Sequence, residues 1–182
     1  MNQKTITLRS VLAKTTVVHT LSYFIIGIIA LNVFHYSEWF SDPALNAYMR
    51  PTDDPLVTAG VLFQPIRGIL FGIVFYLLRE VLFGRKNGWL VTWVMLVFVG
   101  ILSTFGPAPS SIEGMVYTKL SFLGLWGGVL EILAQSFLLS VGTYYWVNHP
   151  EQKWLTWVLV IAFVIVLVLP ILGLWAMSAG LA

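Results

Sequence analysis

Two side chains stand out for their charge and their surroundings. Arg67 lies inside the apolar run from Val57 to Phe83, and Glu131 inside the run from Ser121 to Val147. If such runs cross lipid, each charge costs about 2.5–3.5 kcal/mol on insertion scales and calls for a partner or a task. An arginine there can hold an anionic group, and a carboxyl there can change protonation or gate access. The inert alternative is an interhelical lock, with Gln64 and Gln135 satisfying the donors and acceptors left over.

Helical periodicity groups small and polar residues around both charges. At about 100° per residue, Gly124, Gly127, Gly128, Gln135 and Gly142 fall within roughly 60° of Glu131. Gly60 and Gln64 fall within a similar arc of Arg67, with Gly68 and Gly72 adjoining. Gly68-x-x-x-Gly72 and Gly124-x-x-x-Gly128 have the spacing that lets helix backbones approach closely in lipid, so these glycines are expected to pack helices. Counted from the expected ends of their spans, both charges lie about ten residues in, roughly 15 Å. Equal depth on helices that run the same way predicts that Arg67 and Glu131 meet. Pro65 lacks an N–H and is expected to kink its helix, freeing a carbonyl near residue 61 beside Gln64 and Arg67.

Other candidates carry less. His35 and Glu38 share a helical spacing with Asn32 and supply at most two metal ligands, with no second pair to complete a site. His19 reads as an interfacial residue near the inner end of its span, and His149-Pro150 as a turn. Ser103, Thr104, Ser110 and Ser111 have no Gly-x-Ser-x-Gly elbow around them. Arg79-Glu80 reads as a solvated boundary pair. There is no metal cluster, phosphate-binding loop or nucleophilic dyad at diagnostic spacing, so neither a metal nor a cofactor is expected.

The elements that position these residues follow from composition. Of 182 residues, 58% are hydrophobic and 10% charged, and the mean hydropathy is +0.86. Soluble domains are about a quarter charged, so this chain lacks the polar surface a water-soluble globule needs. A net charge of +2 gives no footing for nucleic acid. The absence of cysteine excludes disulfides and thiolate chemistry.

Five apolar segments, at approximately 17–36, 57–83, 88–105, 121–147 and 154–177, are long enough to cross a 30 Å core as helices. The expectation is an all-α integral membrane protein, with residues 1–182 forming a single domain of five transmembrane helices. Lys4, Arg9, Lys14, Arg85, Lys86 and Lys153 fall on one side. Arg50 and Lys119 fall on the other, among Glu38, Asp42, Asp53, Asp54 and Glu113. The positive side is cytoplasmic by the charge rule, which puts the N-terminus inside and the C-terminus outside. The mildly apolar loop Phe105–Met115 is expected to fold back over the bundle and cap a cavity holding Arg67 and Glu131.

The function expected from this is a small transporter, permease component or membrane-complex subunit of the cytoplasmic (inner) membrane. Its partners would be the lipid bilayer and a second copy or another membrane protein. The alternatives are an enzyme acting on a lipid-linked substrate at the outer leaflet, with Glu38, Asp53, Asp54 or Glu113 beside Arg67, and a purely structural accessory subunit.

Overall fold

The computed structural model describes residues 6–40, 43–46, 49–119 and 126–181, which form helices joined by turns with no strand among them. Helix α1 covers Leu8–Val33. Its start lies nine residues before the apolar run because Thr7 caps it, accepting a hydrogen bond from the Ser10 amide at 3.3 Å. Lys14 does not stop the helix, since its ammonium donates to the Trp146 carbonyl at 2.7 Å and lies over the indole ring. The helix ends at His35, whose left-handed backbone (φ 49°) turns the chain into short helices α2 (Tyr36–Trp39) and α3 (Pro43–Asn46).

The second segment is helical in pieces. Asp54 caps α4 (Pro55–Ala59), a single 3₁₀ turn follows over Gly60–Phe63, and α5 runs over Gln64–Leu77. Pro65 sets this break. Its missing N–H leaves the Val61 carbonyl to the Gln64 amide, which tightens the turn, and the Gly60 carbonyl accepts instead from the Gln64 side chain at 2.9 Å. A 3₁₀ step with a side-chain patch thus replaces the expected simple kink. Helix α6 (Arg79–Leu82) leads to a tight turn and α7 (Gly88–Met95), which widens into a π-helix over Leu96–Leu102. Arg79 pairs with Glu80 at 3.5 Å and lies over the Tyr76 ring. A short α8 (Ile112–Tyr117), capped by Ser111, precedes α9 (Trp126–Asn148) and α10 (Lys153–Ser178).

By length and composition, Leu8–Val33, Pro55–Leu77 and Lys153–Ser178 can each cross a membrane, and Gly88–Leu102 is a shorter apolar helix. Helix α10 shows why an apolar surrounding is needed. Of its residues Val166 and Pro170 are buried, while Trp157, Ile161, Ile165, Leu169 and Leu172 are exposed along its length. An apolar face of that extent calls for apolar surroundings of the kind a bilayer supplies.

Helix α1 is the axis of the bundle and packs against α5, α9 and α10. A Cβ on Gly68 would lie 2.6 Å from the Thr16 Cα, and one on Gly72 would lie 3.0 Å from the Leu12 Cα. Those two glycines bring the backbones of α1 and α5 together. On the other flank a Cβ on Gly142 would come within 2.9 Å of the Val18 side chain. These contacts make α5 and α9 both antiparallel to α1 and parallel to each other. Val11, Phe75, Leu82, Leu139 and Trp146 fill the core at the Leu8 end of α1.

Candidate functional site

Toward the Val33 end of α1 the helices part around a cavity of about 540 Å³. Arg67, Glu131 and Gln135 all line it. Gln64 is buried at its edge and holds Arg67. The π-helix contributes Leu96, Gly100 and Ile101, where its wider turn leaves open space around Gly100. Thr104, Ala108, Pro109 and Ser110 also line the cavity, so the loop after the π-helix folds back across it.

Arg67 and Glu131 do not pair. No ion pair joins them among the described residues, and each has its own partner. The Arg67 guanidinium donates to the Gln64 amide oxygen at 3.1 Å, and the Tyr36 hydroxyl donates to the Glu131 carboxylate. Their levels along α1 give the reason. Gln64, one turn from Arg67, meets His19 at 3.2 Å, whereas a Cβ on Gly27 would lie 3.9 Å from the Glu131 carboxylate. Eight residues of α1 separate those two levels, about 12 Å along the axis. The equal depth obtained by counting from the ends of the apolar runs is therefore not found. Both charges line the cavity together with His19 and Tyr23 of α1.

Gln64 is the organising side chain. Its amide nitrogen is committed to the Gly60 carbonyl, so its oxygen must be the acceptor for Arg67 and for the His19 Nε2–H. The tautomer this requires leaves His19 Nδ1 buried without a partner among the described residues. His19 itself is 1% exposed, set edge-on to Phe71 at 5.0 Å, and lines the cavity. It is enclosed by the bundle. Starting α1 at the apolar run put His19 near a helix end, whereas the cap at Thr7 places it eleven residues beyond Leu8. His19, Tyr23 and Gly27 fall at i, i+4 and i+8, one stripe of α1 between α5 and α9; that spacing was the signal that could have found them.

The remaining candidates separate clearly. Gly128 lines the cavity, and a Cβ there would meet nothing within 4 Å, so it opens space instead of packing a helix. Gly124 lies outside the described residues. His35 is exposed on its left-handed turn, at the cap of the short α2 that carries Glu38. Among the described residues no three His, Asp or Glu side chains gather as around a metal ion. Asp54 accepts from the Leu56 amide at 2.7 Å and pairs with Arg50 at 2.9 Å. That amide, then Arg50, holds the Asp54 carboxyl below the usual range. None of Glu38, Asp53, Asp54 and Glu113 lines the cavity.

Two non-glycine residues with left-handed backbone, His35 and Ser110 (φ 69°), flank this region. Such conformations cost energy and gather where a loop must be aimed. His35 aims Tyr36 at Glu131, and Ser110 sits buried in the cavity wall. Fold and site together define a class, a protein helical throughout its described residues, in which α1, α5, α9, the π-helix and its loop wall a cavity with separate positive and negative groups. No protein-family model matches the chain, and neither a curated protein nor a solved structure matches it.

Proposed function

We propose that the chain crosses the cytoplasmic membrane five times, with its N-terminus inside and the tail after Ser178 outside. In this reading it is a small transporter, permease component or membrane-complex subunit that takes a solute into the Arg67 cavity from the outer side. The Lys/Arg asymmetry of the connections supports the sidedness. The 26-residue α1 and α10 and the 23-residue α9 support three of the crossings, and Pro55–Leu77 a fourth. The 8-residue α7 and the 7-residue π-helix rise together about 22 Å, a short fifth crossing that local thinning accommodates.

The observation that carries the reading is that Arg67 and Glu131 line one cavity without neutralising each other. An inert lock would bring the charges into contact, because an unpaired charge away from water is the costliest arrangement available. A cavity that admits water and a solute removes that penalty.

The cysteine-free chain makes the test clean. In intact cells, a membrane-impermeant maleimide labels Gly128→Cys and Ser178→Cys from outside. Asn87→Cys labels after permeabilisation alone, and Ile161→Cys, on the apolar face of α10, stays unlabelled. A Gly128→Cys thiol that is unreactive from outside, or reached only from inside, overturns the reading.

A further inference from the structure

We infer that the solute is an organic anion, a single carboxylate or phosphate carried on an apolar body, bound with its charged end at Arg67. The inference rests on the cavity reading above and adds the chemistry of the occupant.

The first support is the balance of unused donors and acceptors. Arg67 spends one donor on Gln64 and keeps the rest of its five. Gln64 orients the guanidinium without neutralising it, since its oxygen is a neutral acceptor. The Gln135 amide and the Tyr23 hydroxyl line the same cavity and make no hydrogen bond among the described residues. Among the described residues the one carboxylate in the wall, Glu131, is engaged by Tyr36. Near Arg67 the open groups are the remaining guanidinium donors, the Gln135 amide and Tyr23 hydroxyl, which can each donate or accept, and one acceptor, His19 Nδ1; the cationic guanidinium among them suits an oxyanion held through two oxygens.

The second support is where these groups stand. Gln135 follows Glu131 by one helical turn and so lies nearer the level of Arg67, while Glu131 and Tyr36 lie toward the Val33 end. Between and around them the wall is apolar, with Phe40, Leu45, Phe71, Ile101, Ile132 and Leu139. A bare inorganic ion would leave that surface against water. A neutral amphiphile would leave the guanidinium unpaired. A cavity of about 540 Å³ lies within the range of small-molecule sites, so an organic body fits beside the charged end.

The full chain is placed in nanodiscs of zwitterionic lipid, and the labelling rate of Gly128→Cys is followed with decanoate, decanol and inorganic phosphate as probes. Decanoate slows labelling at least tenfold, and decanol and phosphate at matched concentration leave the rate unchanged. Adding Arg67→Gln raises the half-protecting decanoate concentration by roughly 10- to 100-fold, as the loss of a charge-assisted contact requires, with an unchanged melting temperature as the control for folding. Arg67→Lys restores part of the protection. If anionic phosphatidylglycerol in the disc protects the thiol by itself, the same anion chemistry is supplied by lipid and the inference stands. Equal protection by decanol, or none by either anion on a thiol that labels freely from outside, overturns it while leaving the cavity reading intact. A thiol that does not label at all defeats the cavity reading itself.

Discussion

The two ends of α1 do opposite things with small residues. Toward Leu8, Gly68 and Gly72 press α5 onto the α1 backbone, and Gly142 meets Val18, so side chains such as Val11 and Phe75 are wholly enclosed. Toward Val33, Gly100 and Gly128 have nothing within 4 Å, and the space they leave is the cavity of Arg67 and Glu131. One residue type thus closes the first region and opens the second. What differs is the neighbour, a facing helix backbone in one case and a π-helical widening in the other. The tight end holds the fold rigid, which lets the open end keep charged groups apart.

Substitution with alanine or leucine reads that contrast directly. Gly68→Leu drives a side chain into the Thr16 backbone and costs about 3 kcal/mol of unfolding free energy, the top of the overpacking range. Gly142→Ala meets the Val18 side chain and no backbone, and costs about 1 kcal/mol. Gly128→Ala stays within about 0.5 kcal/mol. Denaturant titrations in detergent micelles rank the three, and equal losses at Gly68 and Gly128 would erase the distinction between the two ends.

Polar substitutions at the open end come next. Gln64→Leu strips partners from the Gly60 carbonyl, from Arg67 and from His19, and loses about 2 kcal/mol in the same titration. Were it neutral, the network around Gln64 would be incidental. Tyr36→Phe removes the donor to Glu131, costs about 1 kcal/mol and speeds labelling of Gly128→Cys from outside, because α2 is no longer tied to α9. A labelling rate unchanged by Tyr36→Phe would detach α2 from the mouth of the cavity.

The smallest effect belongs to Asp54. Its folded-state pKa is lowered by the Leu56 amide and Arg50. The stabilisation it gives is therefore present above the ordinary carboxylate value, about 4, and is lost as pH falls through the lowered folded value. Asp54→Asn keeps a capping acceptor and should show a shallower loss of melting temperature on acidification than the parent chain. Identical acid profiles would remove Asp54 from the pH response.

Much of the helical content was legible in the sequence, because long apolar runs broken by Pro, Gly and charge leave few alternatives. The grouping of Gly60 and Gln64 beside Arg67, with Gly68 and Gly72 adjoining, and of Gln135 beside Glu131, could be read from a 100° step. Depth did not. Apolar runs mark where lipid could lie, not where caps start a helix, so a run that begins at residue 17 makes His19 look peripheral. The relative level of Arg67 and Glu131 depends on contacts of both helices with α1, and no count along a single segment contains that information. Tyr36 was equally hidden, since its reach to Glu131 depends on a left-handed backbone at His35, a conformation uncommon for any non-glycine residue even though histidine is enriched in it.

The account turns on two charges held separately in one cavity, and a double-mutant cycle between Arg67→Gln and Glu131→Gln measures that most directly. Unfolding free energies of the two single variants and the double variant should add to within about 0.5 kcal/mol. A coupling of about 2 kcal/mol or more would mean that the two side chains pair, and the site would then be a lock between helices, with no charge left to receive a ligand.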